Sequence, residues 1–406
     1  MKKLSVIICL YNTDEKMFEA CLSSIFNSTL KDLEVIVVDD GSNKNYSSIL
    51  NKFDVKYFKT KNQGTLEARI FGVKQCKNPY VCFVDSDDTV SFNYFEGSLS
   101  SIGDADIVLN DWAFHTKSSR YVCYNDSSIN SEFVSRAPLK KYFSQRGKEH
   151  STYVLWNKVF KREIILSACE KVEALKIEKM VYAEDVLLTY FAYKLSNKVV
   201  NTHLGFYYYR VHDSQQVSVD SKQKLINHVF SLTEVFNFME KDLKEDEIFD
   251  NYKSDFMAWK QMLFSTHYAV AKKFKSKELN EFVISRYGNC KMQKVAFASD
   301  SAYMNQKVLP TNIKDIDKLL KEVYCSKKIL KVFARKSSYA HKELIKMKKV
   351  LGLNFEFSDK KEADIVFPKE TVSIKQKILH NTLVFKVGVL LFPKGSKIRA
   401  VLKSKL

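Results

Sequence analysis

The sequence predicts an α/β fold, in which a mostly parallel sheet flanked by helices precedes a mainly helical, basic C-terminal region. Short apolar runs alternate with helix-like patterns through the first half of the chain, as in βαβ units. Two of these runs end in clustered carboxylates. From about residue 221 onward, long amphipathic patterns replace the alternation, and positive charge accumulates toward the end.

The apolar runs in the first part of the chain are predicted to be buried strands. In chain order they are Leu4–Leu10, Leu33–Val38, Val55–Phe58 and Tyr80–Val84. The first is a continuous run with β-branched residues, which is typical of a strand covered on both faces. Parallel neighbours joined by helices are therefore expected.

Helices are predicted between these strands and throughout the C-terminal region. Glu15–Asn27 places its apolar side chains on one helical stripe, and Asn62-Gln63-Gly64 opens a second helix that runs to about Gln75. Longer helices are predicted at Lys222–Lys244 and Asp255–Phe274. Brief strands return near residues 329–333 and 364–367.

Composition indicates an ordinary globular protein. The chain has 406 residues, 45% of them hydrophobic and 28% charged, so two structural units are expected and disorder is not. Its eight cysteines include no C-x-x-C pair, which argues against a zinc knuckle or a redox pair. Free thiols in a reducing, cytoplasmic compartment are the expected state.

The net charge of +18 is concentrated near the C-terminus. Residues 321–406 contain 21 Lys+Arg and 7 Asp+Glu, a net of +14. No apolar stretch approaches the roughly 20 residues of a membrane-spanning helix, so no span is predicted. In Ser373–Leu406 lysines interleave with apolar residues, which suits docking on an anionic membrane, although a solvated basic helix is the alternative. No nucleic-acid motif accompanies the charge, so nucleic acid is not a predicted partner.

Two carboxylate clusters mark the candidate site. Asp85-Ser86-Asp87 follows a predicted strand, and ligands of open parallel sheets bind beyond the carboxyl ends of the strands. Such carboxylates can divide between a hard cation and a ribose hydroxyl, since Mg²⁺ or Mn²⁺ takes few protein ligands beside phosphate and water. Alone, the tripeptide also fits a solvated turn. Glu184-Asp185 opens a predicted helix, where acidic residues are favoured by the helix dipole in any case.

Several ordered segments resemble the family 2 glycosyltransferases of the GT-A fold. Those in the first third are SVIICLYN (5–12), LEVIVVDDGS (33–42), NQGTLEARIFGV (62–73) and YVCFVDSDD (80–88). Three later segments resemble bacterial enzymes that build lipooligosaccharide, capsule or other surface glycans: WNKVFKRE (156–163), YAEDVLLTYFAY (182–193) and YYYRVHDSQQVS (207–218). The resemblance covers roughly the first 220 residues.

This resemblance implies a division of labour along the chain. A GT-A catalytic domain is expected at 1–220, with nucleotide-sugar binding in 1–110 and the acceptor side and catalytic base in 111–220. The resemblance gives no information on residues 221–406, which by their pattern and charge are expected to be a mainly helical, basic region that either docks on a membrane or is solvated.

The resemblance also implies roles for residues on the donor side. The expected donor-side residues are Tyr11 and Asn12 at the nucleobase and sugar, Asp40 at the uracil edge with Asp39 beside it, Arg69 toward the base or diphosphate, Asp85 at the ribose and Arg210 at the diphosphate. A guanidinium suits bidentate recognition of an oxyanion. Cys9 stands where the family often has Pro or Thr, which puts a side-chain hydroxyl contact to the nucleobase in doubt.

The resemblance also implies which residues bind the metal ion and which residue acts as the general base. Asp87 is the expected ligand of Mn²⁺ or Mg²⁺, with His212 as a further ligand or, alternatively, an exposed loop histidine. Asp185 is the expected general base, acting from the side opposite the diphosphate and so producing inversion, and Glu184 orients it or bonds the acceptor. Trp156 and Asn157 are candidates for the acceptor floor, with a core role as the alternative for Trp156.

The expected function is inverting, metal-dependent transfer of a hexose or N-acetylhexosamine from a UDP-sugar. The acceptor is expected to be a glycan or lipid-linked glycan in bacterial surface polysaccharide or lipooligosaccharide synthesis, at the inner face of the plasma membrane. One alternative is an inactive nucleotide-sugar-binding or scaffolding subunit. A nucleotidyltransferase is the other, but it needs a glycine-rich, basic loop after the first strand, where this chain has Tyr11-Asn12-Thr13-Asp14-Glu15.

Overall fold

The structure is a computed structural model that describes residues 4–115, 119–123, 133–134, 137–290, 307–310 and 330–366, with gaps inside the fourth and last ranges. Those gaps are 145, 147–149, 178–179, 181, 211–218, 220 and 289, and then 335, 337–340, 343, 346–347 and 349–354. The chain divides into two compact units, Met1–Leu330 with Ile345–Glu356 and Lys331–Leu344 with Phe357–Leu406. The helices that follow residue 220 belong to the same unit as the main sheet. The domain boundary at 220 stays a prediction.

Four parallel strands form the first part of the main sheet. They are β1 (Leu4–Leu10), β2 (Leu33–Asp39), β3 (Lys56–Lys59) and β4 (Tyr80–Phe83), in the spatial order β3-β2-β1-β4. Helices α1 (Glu15–Phe26), α2 (Ser47–Leu50) and α3 (Thr65–Gln75) connect them. Alternate side chains of β1 enter different cores, Ile7 on one face of the sheet and Val6 and Ile8 on the other. Burial on both faces explains why this run is continuously apolar.

The second part of the sheet contains both parallel and antiparallel strands. Its strands are β5 (Thr89–Val90), β6 (Ile107–His115), β7 (Ser119–Cys123), β8 (Phe133–Val134), β9 (Lys158–Lys161), β10 (Lys198–Arg210) and β11 (Lys307–Pro310). Strand β9 lies between β4 and β6 and is antiparallel to both. Strand β10 runs parallel to β6, with a register shift between Thr202 and Phe206, and its end pairs with β5. This arrangement brings the segments before β9 and at the end of β10 to the carboxyl end of β4.

Helices cover the sheet and continue beyond it. They are α4 (Tyr94–Ser101), α5 (Ala137–Ser144), α6 (His150–Tyr153), α7 (Arg162–Ala174), α8 (Glu184–Leu195), α9 (Lys222–Glu245), α10 (Phe249–Lys273) and α11 (Lys277–Tyr287). Helix α10 begins six residues before the predicted Asp255, because Tyr252 in its first turns packs against Phe143 of α5, with ring centroids 5.3 Å apart. No helix among the described residues is long and apolar enough to cross a membrane.

Short strands return where the sequence predicts them. They are β12 (Leu330–Phe333), β13 (Phe355–Phe357) and β14 (Ile365–Val366), and β12 pairs with β14 in parallel. The α/β class is confirmed, with a parallel first part of the main sheet and long helices after residue 220.

Candidate functional site

The candidate site is built around one buried arginine. The guanidinium of Arg69 contacts three carboxylates: Asp85 at an N···O distance of 3.2 Å, Glu184 at 3.1 Å, and Asp185. The side chain of Arg69 is 5% exposed, whereas that of Asp85 is 30% exposed. These carboxylates come from the loop after β4 and the first turn of α8, so one arginine joins the two acidic clusters found in the sequence.

Close packing of α3 on β1 places Arg69 at this point. A Cβ added to Gly72 would lie 2.6 Å from Cγ2 of Ile7, closer than real side chains approach. Glycine at this position therefore allows the helix to lie directly on the strand. Gly64 precedes the helix with a φ of 102°, a conformation that favours glycine. Arg69, one turn before Gly72, is thereby directed toward the carboxyl end of the sheet.

The cluster has a surplus of negative charge. Burial raises the pKa of Asp85 to about 7, and the charges of Asp185 and Asp87 act in the same direction, against Arg69. Burial also raises the pKa of Glu184. Burial opposes the charge of Arg69, but the charges of Asp185, Glu184 and Asp85 outweigh this effect and raise its pKa. One guanidinium among several carboxylates produces a field that attracts a cation.

The loop after β4 carries two half-buried carboxylates and one buried carboxylate. Asp85 and Asp87 are partly exposed, while Asp88 is 1% exposed. Asp88 accepts hydrogen bonds from the Tyr207 hydroxyl at 2.8 Å and from the Arg210 backbone N–H at 2.6 Å. The same tyrosine oxygen accepts from the Asp85 N–H at 3.0 Å. Asp88 thereby holds the end of β10, including Arg210, against the loop that carries Asp85 and Asp87.

The two aspartates at the end of β2 have different surroundings. Asp39 is fully buried and accepts from the Ser42 N–H at 2.7 Å and the Tyr57 hydroxyl at 2.6 Å. Asp40 accepts from the backbone N–H groups of Gln63 at 2.8 Å and Gly64 at 2.9 Å. A cavity of about 130 Å³ borders Asp40, with a lining that includes Thr60, Gln63, Glu67, Phe71 and Lys74. Asp40 therefore lies at a cavity and organises its rim, while Asp39 supports the turn that follows.

The residues after β1 lie beside this turn. Tyr11 is 51% exposed. Asn12 has a φ of 53°, a left-handed conformation that asparagine tolerates better than most residues. Its N–H donates to Ser42 Oγ at 3.0 Å, and its Oδ1 accepts from the Asn43 N–H at 3.0 Å. These contacts hold the ends of β1 and β2 together.

The first turn of α8 presents Asp185 between two donors. One carboxylate oxygen contacts Arg69, and the other accepts from the Leu155 N–H at 3.2 Å. Ala183, just before the helix, has a φ of 66° and turns the chain into it. The side chain of Asp185 is 19% exposed, so the carboxylate is held on two sides but remains accessible.

The structure thus brings Arg69, Asp85, Glu184 and Asp185 into direct contact. Asp87 lies in the same loop as Asp85. Tyr11, Asn12, Asp39 and Asp40 occupy the neighbouring strand ends, and Arg210 ends β10. His212 lies outside the described residues. Among the described residues, no three His, Cys, Asp or Glu side chains are arranged as a metal site.

The sequence did not reveal the supports of this site. Asp88, the hydroxyl of Tyr207 and the Leu155 amide were missed as contributors. Alternation in the tyrosine-rich end of β10 could have indicated an inward Tyr207, but no local pattern reports a backbone amide as a partner. Trp156, a candidate for the acceptor floor, is 3% exposed and stacks on Tyr207 with centroids 4.5 Å apart, so it is core.

Comparison with known proteins gives one family match and several distant relatives. Residues 5–166 match the family described as glycosyl transferase family 2. The glycosyltransferase GlyA of Streptococcus pneumoniae serotype 4 is 29% identical over 220 residues, 52% of this chain and 30% of that protein. The cholesterol galactosyltransferase of Borreliella burgdorferi is 28% identical over 273 residues, 63% of this chain and 72% of that protein. The chain therefore spans less than a third of GlyA.

Among solved structures, S. aureus TarS 1–349 in complex with UDP-GlcNAc aligns with a TM-score of 0.44 and 18% identity, over 71% of this chain and 89% of that chain. The family match begins within β1 and ends within α7, so it includes α3, which carries Arg69, and the strands β2 and β4, at whose ends Asp39, Asp40 and Asp85 lie. Residues 5–166 of this chain are therefore similar to the family 2 glycosyl transferases.

Proposed function

We propose that this protein is an inverting, metal-dependent glycosyltransferase that moves a hexose or N-acetylhexosamine from a UDP-sugar to a glycan acceptor. The observation that carries the proposal is the Arg69 cluster. Asp85 on the donor side and Asp185 on the acceptor side contact the same guanidinium, so a donor and an acceptor bound at these residues meet in one cleft.

The donor side offers contacts suited to a nucleotide. Asp40 borders a cavity and can accept from the ring edge of uracil, while exposed Tyr11 lies at the end of the adjacent strand. Asp85 is partly exposed and available to a ribose hydroxyl. Arg210, whose backbone N–H donates to Asp88 in this loop, is the proposed partner of the diphosphate. A galactosyltransferase among the relatives supports a hexose as the transferred group.

The donor groups fit a hard divalent cation. Mg²⁺ or Mn²⁺ usually takes one or two protein carboxylates and completes its shell with substrate phosphate and water, so Asp87 suffices without a cluster of three ligands. The negative surplus around Arg69 favours a cation here. When bound, the ion neutralises charge on the departing diphosphate. His212 remains a predicted further ligand.

Asp185 is the proposed base. It removes the proton from the acceptor hydroxyl as that oxygen forms a bond to the anomeric carbon. The bond between this carbon and the diphosphate oxygen breaks on the opposite side, UDP leaves with the bonding electrons, and the configuration inverts. Arg69 and the Leu155 N–H hold the carboxylate in position, and the proposed role of Glu184, which contacts the same guanidinium, is to orient the base or to bond the acceptor.

Assembly of a bacterial surface polysaccharide or lipooligosaccharide at the inner face of the membrane is the proposed setting. Docking through the basic C-terminal region rests on residues outside those described, such as Ser373–Leu406. The second candidate is a scaffolding subunit that binds nucleotide sugar without turnover. The contacts that hold Asp185 beside Asp85 favour the enzyme, because a scaffold has no need of a positioned base.

The test is a panel of UDP-galactose, UDP-glucose, UDP-N-acetylgalactosamine and UDP-N-acetylglucosamine, assayed for hydrolysis and transfer with Mn²⁺ or chelator. Asp185→Asn is expected to lower the rate by about 100- to 10,000-fold, the usual contribution of a general base, without loss of UDP binding. Asp87→Ala is expected to lose metal-dependent turnover. Asp104→Asn makes the same charge change at a side chain that is 82% exposed and is expected to leave the rate unchanged.

The outcomes distinguish the proposed enzyme from the scaffolding subunit and test each proposed residue role. UDP-sugar binding by wild type without any product would favour the scaffold. Full activity of Asp87→Ala in chelator would contradict the proposed dependence on a metal bound by Asp87. Full activity of Asp185→Asn would contradict the proposed role of Asp185 as general base.

A further inference from the structure

A fully buried lysine lies next to the candidate base. Lys158, the first residue of β9, is 0% exposed. Its Nζ donates to the carbonyl oxygens of Ser151 and Val154, each at 2.5 Å, and to Oδ1 of Asn157 at 2.8 Å. All three acceptors are neutral oxygens, so the ammonium acts through hydrogen bonds to a backbone segment.

Burying the side chain of Lys158 has a free-energy cost. Removing an ammonium from water is energetically unfavourable even after the surroundings relax. Burial lowers the pKa of Lys158, and the nearby charge of Asp185 opposes this shift. An apolar side chain of similar length, such as methionine, would fill the same core position without that cost. Retention of an amine here therefore calls for a role that its hydrogen bonds perform.

The role is indicated by what lies between its partners. Ser151 and Val154 bracket the turn that leads to Leu155, and the Leu155 N–H donates to Asp185 at 3.2 Å. By binding the two carbonyl oxygens, the amine determines the direction in which the next amide points. Lys158 thus reaches the carboxylate through one backbone group rather than by direct contact.

We propose that Lys158 is a positioning residue for glycosyl transfer, which binds the carbonyls of Ser151 and Val154 and so holds the Leu155 amide against Asp185. The inference rests on the proposed role of Asp185 as base. It assigns to the first lysine of the WNKVFKRE segment a function that does not involve substrate contact.

The segment also supplies a matched control. The hydroxyl of Tyr94 donates to the carbonyl oxygen of Trp156 at 3.0 Å, and Tyr94 is fully buried like Lys158. Tyr94→Phe therefore removes one buried hydrogen bond to the same segment without removing the contacts that flank Leu155. Loss of general stability and loss of positioning are separated by comparing the two variants.

The experiment measures kcat, the KM for the UDP-sugar, the stoichiometry of UDP binding by calorimetry and the melting temperature. Lys158→Met is expected to lower kcat by about 100-fold, because a shift of about 1 Å in a catalytic group has effects of that order. KM and UDP stoichiometry are expected to stay within about twofold, since the donor-side residues are untouched. Lys158→Gln, which keeps neutral hydrogen-bond donors, is expected to recover part of the lost kcat, and Tyr94→Phe to keep kcat within about twofold.

The proposal is overturned if Lys158→Met keeps kcat within about twofold of wild type, or if kcat falls only in proportion to UDP stoichiometry in both Lys158 variants. An equal fall in kcat for Tyr94→Phe also overturns it. Failure of the proposed function is recognised separately, because wild type itself would then form no product.

Discussion

Replacing Arg69 with methionine tests whether this guanidinium holds the cluster together. The substitution removes the charge while retaining most of the buried side-chain volume. Asp85, Glu184 and Asp185 would then share one region without their common counter-charge. We expect the free energy of unfolding to fall by about 3–5 kcal/mol near neutral pH, the usual cost of breaking a buried ion pair.

The magnitude follows from the observed distances. With N···O separations of 3.2 Å to Asp85 and 3.1 Å to Glu184, each contact has a Coulomb energy of about 5 kcal/mol at an effective dielectric constant of about 20. Desolvation of the guanidinium offsets much of this sum, so the net loss is smaller than the total.

The pH dependence has a definite sign. Burial already raises the pKa of Glu184, and without Arg69 it rises further. At pH values above the pKa of Glu184 in the unfolded chain, the folded variant therefore holds a proton that the unfolded chain has released. Its stability therefore decreases as the pH rises, and the deficit relative to wild type is largest at alkaline pH and smallest under mildly acidic conditions.

Urea denaturation at about pH 8 and about pH 5.5 measures both effects. Lys74→Met on the same helix is the control, because the ion pair of Lys74 with Glu173 joins side chains that are 45% and 37% exposed. Its loss is expected to cost about 0–1 kcal/mol. If Arg69→Met unfolds within about 1 kcal/mol of wild type at both pH values, the cluster is not held together by Arg69.

Three further predictions concern other parts of the fold and site. Gly205→Ala is expected to cost about 1–3 kcal/mol, because the added Cβ would lie 2.5 Å from Cα of Tyr94, and an unchanged melting temperature would contradict this. Burial lowers the pKa of His267 to about 3, so below about pH 6.5 only the unfolded chain gains this proton and the folded state loses up to about 1.4 kcal/mol per pH unit. His267→Gln should flatten that acid slope in denaturation experiments, and identical slopes would refute the assignment. Asp40→Asn should weaken UDP binding about tenfold. The carboxylate accepts one backbone N–H with each oxygen, whereas asparagine has one accepting oxygen and a nitrogen that cannot accept. An unchanged dissociation constant by calorimetry would exclude that effect.

Local sequence pattern determined the strands and helices in the first, parallel part of the sheet. The first strand was predicted at Leu4–Leu10 and is found there, while the second and fourth differ from their predicted ends by one residue. Continuous apolar runs identify these strands because each is buried on both faces by helices, so the constraint is present in every residue of the run. Carboxylates at the strand ends were likewise visible, because parallel strands bring their carboxyl ends to one edge of the sheet.

Partners distant in the chain were decided only by the tertiary structure. Arg69 and Asp185 are 116 residues apart in sequence, and no periodicity connects them. Lysine is usually an exposed residue type, yet Lys158 is buried in β9, which lies between β4 and β6. The spacing of hydrophobic residues indicates local secondary structure and the face that each element buries. Which charge contacts which carboxylate, and which backbone amide donates to Asp185, depends on how separate segments cross, and only the folded chain determines that.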